Sequence, residues 1–110
     1  TPCGTLFPYT TLFRSVIEIT AEGDVDLYSS PALRRTILDA ANHESKEIRV
    51  ILAAVGYMDS SGVATLVEGL RAASDSGKAF MLQSPSQPVM KVLQLSRLDA
   101  IFSILTDENE

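Results

Sequence analysis

The sequence predicts an α/β domain: a mainly parallel or mixed sheet of four to five strands with helices packed against it. Three observations carry this. Short apolar runs with strand character alternate with stretches of helical periodicity. One run, Ile48 to Ala54, is nearly all apolar, as in a parallel strand covered on both faces. The chain has 110 residues, 45% apolar and 21% charged, which suits one domain with a core that needs neither disulfide nor metal. Strands that alternate with helices imply right-handed crossovers between parallel neighbours.

Thr1 to Ser15 stands apart from the rest. It holds the single cysteine, Cys3, together with Pro2 and Pro8 and the aromatics Phe7, Tyr9 and Phe13, and it has no acidic residue. Neither a helical nor a strand period runs through it. It also lacks the basic start and apolar centre of a signal peptide. Thr5 to Ser15 resembles the translation of a widely used short-read sequencing adapter. Residues 1–15 are therefore expected to form a non-native tail, disordered or loosely packed, with residues 16–110 as the domain. A native strand ahead of Val16 is expected to have been lost with the true start.

The elements of the domain follow in order. Val16 to Glu22 alternates, with Ile17, Ile19 and Ala21 on one face, and predicts a strand that bends at Gly23. Ser30 is the expected cap of a first helix, with Pro31 at its first position. Leu33, Ile37 and Ala41 share its apolar face, while Arg34, Arg35 and Asp39 face away. Asn42 to Glu47 is a polar loop before the Ile48 to Ala54 strand, and Gly56 to Gly62 reads as a turn. Val63, Leu66, Val67, Leu70 and Ala73 then mark a strongly amphipathic helix, with Leu66 and Leu70 expected to be buried. Gly77 ends it. Ala79 to Gln83 is a further strand, and Pro88 opens a short helix running to about Ser96. Leu98 to Leu105 supplies a last turn of helix and a short edge strand, followed by the acidic tail Thr106 to Glu110.

Composition narrows the function. Nine Lys and Arg against fourteen Asp and Glu give a net charge of −5, which excludes a basic nucleic-acid footprint. Setting aside residues 1–15 removes one positive charge, Arg14, and leaves −6. One Cys and one His exclude a disulfide framework and a Cys/His zinc site. No apolar run is long enough to span a bilayer. The absence of cysteine from residues 16–110 fits a reducing, cytoplasmic setting. His43 reads as a solvated helix-end residue. Asp24 and Asp26 read as a solvated pair on one side of an extended chain. No glycine-rich phosphate loop is present.

The segment that stands out is Asp59-Ser60-Ser61-Gly62, between the most apolar strand and the most amphipathic helix. The loop after a strand of a parallel sheet is where ligands and partners meet such folds. Spacing alone favours the plainer reading of a capping loop, since Asp and Ser satisfy the free N–H groups of a helix start.

A resemblance bears on that choice. Residues 56–102, GYMDSSGVATLVEGLRAASDSGKAFMLQSPSQPVMKVLQLSRLDAIF, resemble the core of the STAS domain family, which includes bacterial anti-sigma factor antagonists and the C-terminal domains of sulfate transporters. Residues 23–38, GDVDLYSSPALRRTIL, resemble the family's first strand-to-helix block, and the likeness spans about Val16 to Leu105. It implies a small single STAS-like α/β domain without catalysis or cofactor. In the antagonist branch, the serine directly after the loop aspartate accepts phosphate from a partner anti-sigma factor serine kinase, which maps onto Ser60. The family's partner contacts map onto Asp26, Ser29, Asp59, Ser61 and Gly62. The unphosphorylated form binds the anti-sigma factor and frees sigma, the phosphorylated form releases its partner, and a phosphatase can reset the switch. The phosphate is expected to rest on helix N–H groups. Neither direct nucleic-acid contact nor membrane insertion is implied. The alternative is a STAS subunit of a lipid-transport ABC system docking on its ATPase. An enzyme with Ser60 as nucleophile lacks a placed base.

Overall fold

The computed structural model describes residues 9–13 and 15–105. The chain runs β1 (Tyr9–Phe13), β2 (Val16–Val25), α1 (Ser30–Ala41), β3 (Glu47–Met58), α2 (Ser60–Asp75), β4 (Ala79–Gln83), α3 (Gln87–Leu95) and β5 (Ser103–Leu105). Sheet order follows chain order, β1-β2-β3-β4-β5. Strands β2 to β5 are parallel and β1 is antiparallel to β2. Each helix is thus the crossover between two neighbouring parallel strands. Helix α1 packs on β2 and α2, α2 on β3 and β4, and α3 on β3.

The core lies between one face of the sheet and the helices. Ile17, Ile19 and Ala21 of β2, Ile48, Val50 and Leu52 of β3, and Phe80 and Leu82 of β4 are buried together with Leu33, Ile37, Leu66, Val89 and Leu93 of the helices. The alternate positions Glu18, Thr20, Arg49, Ile51, Met81 and Gln83 are only half-buried. This corrects the expectation for β3. Its run of apolar residues is not a doubly covered strand but one that alternates, with Ile51 on the less covered face. The helix after β3 also departs in part: Leu66 is buried as expected, whereas Leu70 only packs against the edge of the core.

Two strands run further than their periodicity suggests. Strand β2 continues through Gly23, whose φ is 112°, to Val25, and β3 continues through Gly56 and Tyr57 to Met58. Register shifts between Thr20 and Glu22, and between Gly23 and Asp24, keep the two strands paired as they bend. Helix α1 is capped at Ser29 rather than Ser30, with Pro31 in its first turn. Residues 98–102 form turns rather than a last helical turn before β5.

Of residues 1–15, expected to form a non-native tail that is disordered or loosely packed, Tyr9–Phe13 pair along their whole length with β2. The strand expected to be missing ahead of Val16 has its place filled by this segment. Thr, Tyr and Phe have the β-propensity that suits an edge strand, whatever their origin. The connection is less well matched. Phe13 and Val16 are paired, so the hairpin loop has two residues, and its second, Ser15, sits at φ 68°. Two-residue hairpins favour Gly or Asn at such positions. The Ser15 carbonyl nevertheless accepts from Lys46 and Glu47 N–H, which ties the turn to the start of β3. The expected acidic tail, Thr106 to Glu110, and the expected tail before Tyr9 lie outside the described residues.

Candidate functional site

The C-terminal ends of β2 and β3 bring two turns together. In the first, the Asp26 carboxylate accepts from Tyr28 N–H at 3.0 Å and Ser29 N–H at 3.0 Å. In the second, the Asp59 carboxylate accepts from Ser61 N–H at 2.9 Å and Gly62 N–H at 3.3 Å. An aspartate serving the N–H groups two and three residues on is the local chemistry that turns a strand into a helix. The turns are also joined to each other. Asp59 N–H donates to the Val25 carbonyl at 3.1 Å.

Asp59 is the N-cap of α2, in extended conformation. The Ser61 hydroxyl, donating to the same carboxylate oxygen at 2.5 Å, is the largest influence holding the Asp59 carboxyl below its ordinary range. Partial burial opposes this, and the N–H groups of Gly62, Ser61 and Leu27 reinforce it.

The six residues that the family pattern selects divide sharply. Ser29 is buried, and its hydroxyl donates to the Asp24 carbonyl at 2.7 Å while accepting from Asp26 N–H at 2.9 Å. Gly62 is buried against the core. A Cβ there would stand 2.7 Å from both Met58 Cγ and Val25 Cγ1, so only glycine lets the start of α2 approach the two strands this closely. Asp26, Asp59 and Ser61 are held in the hydrogen bonds that shape the turns. Ser60 alone is exposed with a side chain that makes no hydrogen bond among the described residues. Ser29 and Gly62 therefore position the surface rather than form it.

What periodicity missed is the apolar rim. Leu27, Tyr28 and Tyr57 are 67%, 78% and 50% exposed, three of the five large apolar side chains left open among the described residues. All three lie at this end of the sheet, with Tyr57 paired to Asp24 across β2 and β3. The available signal was three large apolar residues inside segments otherwise rich in Asp, Ser and Gly. Residues 23–31 and 53–63 contain no Lys or Arg, so the rim is apolar and acidic. His43 follows the far end of α1 and has no part in it. Among the described residues, no cluster of His, Cys, Asp and Glu could hold a metal, and no helix is long and apolar enough to cross a membrane.

The family model described as "Mlab, STAS domain" matches residues 12–106. The chain belongs to the STAS domain family. An anti-sigma-B factor antagonist of Bacillus subtilis is 27% identical over 88 residues, covering 80% of each chain. The crystal structure of an anti-sigma factor antagonist from Mycobacterium paratuberculosis superposes with a TM-score of 0.85 at 17% identity, covering 96% of this chain and 89% of the other. The anti-sigma factor antagonist SpoIIAA, in its unphosphorylated form, superposes with a TM-score of 0.75 at 24% identity, covering 94% and 90%. At those identities the two structures attest the fold: a small α/β STAS domain with four parallel strands and three helices. Relatives of this kind are regulatory binding proteins, not enzymes.

Proposed function

We propose that this chain is a phosphorylation-controlled anti-sigma factor antagonist acting in the cytoplasm. Unphosphorylated, it binds an anti-sigma factor serine kinase through the two-turn surface, and sigma is released. Phosphate on Ser60 ends that binding, and a phosphatase restores it. The observation that carries this reading is the contrast within the α2 turn: Ser61 is tied to Asp59, while Ser60 stands exposed beside it with an unengaged hydroxyl. The names of the relatives support the antagonist role.

The geometry alters the expected action of the phosphate. Asp59 already binds the N–H groups of Ser61 and Gly62 with its carboxylate and that of Val63 with its carbonyl. A phosphate on Ser60 therefore does not inherit the helix N-terminus. It adds about −1.5 to −2 of charge beside an ionised carboxylate, on a rim without cations. In this reading it acts by repulsion and desolvation at the contact, with little rearrangement of the domain.

The name carried by the matching family model favours a second reading, a STAS subunit docking on the ATPase of a lipid-transport ABC system. Binding to the anti-sigma kinase encoded in the same genome separates the two. The proposal expects a complex that dissociates on addition of ATP, and a Ser60→Ala variant whose complex ignores ATP. Absence of any complex with the kinase, together with co-purification of a transporter ATPase, overturns it in favour of the second.

A further inference from the structure

Helix α2 is covered unevenly. One flank packs against α1, with Gly69 against Ile37 and Glu68 paired to Arg34. The other carries Val67, Leu70, Arg71, Ser74 and Asp75, spaced i, i+3, i+4, i+7 and i+8, and forms an open groove with Ile101 of the turn before β5. Val67 and Leu70 only lean on the core, and Ile101 stands 50% exposed in the groove wall. Arg71 and Asp75 are both exposed. Neither belongs to the ion pairs found among the described residues, Arg34–Glu68 and Arg49–Glu47.

This flank is complementary to a copy of itself. An antiparallel α2 from a second chain, related by a two-fold axis level with Ala73, sets Arg71 opposite Asp75 and Asp75 opposite Arg71. The same approach lets Ile101, which stands out of one wall, enter the groove of the other copy beside Val67 and Leu70. The contact then has an apolar centre and a charged border. The net charge of −5 opposes close approach of two copies in general, so complementarity has to be local, as it is here. We infer that a second copy of this chain docks in this groove as a two-fold dimer. Antiparallel helices send the two Ser60 turns to opposite ends, so both sites stay open. Three apolar side chains from each copy make a small contact, and the association is weak and depends on concentration.

Sedimentation velocity of the full chain, from roughly 10 μM to 1 mM, covers the range expected of so small an interface. The expected result is an average mass that climbs toward twice that of the monomer. Arg71→Asp sets acid against acid and Asp75→Arg sets base against base, so each variant alone stays monomeric. An equimolar mixture of the two regains the dimer, because every cross pair is again of opposite sign. A dilution series of the wild-type chain followed by amide NMR depends on no variant folding. Concentration-dependent shifts are expected at residues 67–75 and at Ile101, and not at Leu27, Tyr28 or Tyr57. A wild-type chain that stays monomeric throughout overturns the inference and leaves the groove to a different protein. A dimer that survives both single variants, or whose shifts fall on the rim, also overturns it and puts the contact on another face.

Discussion

The turns before α1 and α2 are built by the same device and end in different surfaces. Asp26 and Asp59 each bind the N–H groups two and three residues later, and in each the residue directly after the aspartate is pushed outward. In the first turn that residue is Leu27, 67% exposed; in the second it is Ser60. The third-position residue is buried in both, as Ser29 in one and Gly62 in the other. One backbone solution thus offers an apolar contact on one side of the site and a hydroxyl on the other. The comparison shows why Ser29 and Ser60 have unequal roles: their place in the turn, not their chemistry, decides which one a partner can reach.

Substitutions along the two turns test this division. The largest effect is expected at Gly62, where Ala must displace Met58 and Val25 and should cost about 1–3 kcal/mol, read from urea unfolding. A cost under about 0.5 kcal/mol would show that the start of α2 can lift away from the strands. Its counterpart comes next. Ser29→Ala leaves the Asp24 carbonyl and Asp26 N–H without that hydroxyl in a buried setting, for about 1–2 kcal/mol. The same unfolding series would read a neutral result as water taking its place.

Asp59→Ala should cost about 1 kcal/mol, the usual value of a lost N-cap. The pH dependence has a fixed sign. The folded carboxyl titrates below its unfolded value, so the stabilisation is complete above about pH 4 and fades as the pH falls through the lower, folded value. Asp59→Asn removes this acid-side loss, and thermal melts between pH 2 and pH 6 would reveal it (roughly the span of a carboxylate titration). The smallest stability effects belong to the outward positions. Ser60→Ala and Leu27→Ala should each change stability by less than about 0.5 kcal/mol. In partner binding the order reverses: Leu27→Ala weakens the complex, while Ser60→Ala preserves it.

The fold was legible where burial imposes a period. Leu33 and Ile37 on α1, and Val63 and Leu66 on α2, all lie where their spacing put them. It was less legible at strand ends. Gly56-Tyr57 reads as a turn because local propensity is blind to the pairing of Asp24 with Tyr57, which holds both strands extended, whereas the bend read at Gly23 does lie at a shift of register. Nor did the apolar content of β3 reveal that only one face is well covered, since Ile51 looks like Ile48 until its neighbours are known. Strand β1 shows a limit of a different kind. Residues that resemble foreign sequence and have no strand period still have the β-propensity that an unpaired edge of β2 accepts, and the mismatch surfaces only at Ser15. At the site, the Asp-Ser-Ser-Gly string was visible at once, but two adjacent serines are equivalent on paper. The resemblance singled out Ser60, and the 2.5 Å bond from Ser61 to Asp59 together with the exposure of Ser60 gives that choice a physical ground.

That separation is the central claim, and phosphosite mapping tests it most directly. Wild-type protein, Ser60→Ala and Ser61→Ala would each be incubated with ATP and the anti-sigma serine kinase of the same genome, and the modified peptide sequenced by mass spectrometry. The account predicts one phosphate on Ser60 in the wild type, none in Ser60→Ala, and phosphate still on position 60 in Ser61→Ala. Phosphate on Ser61 with Ser60 unmodified would contradict it, because the hydroxyl bound to Asp59 would then be the one the kinase reaches.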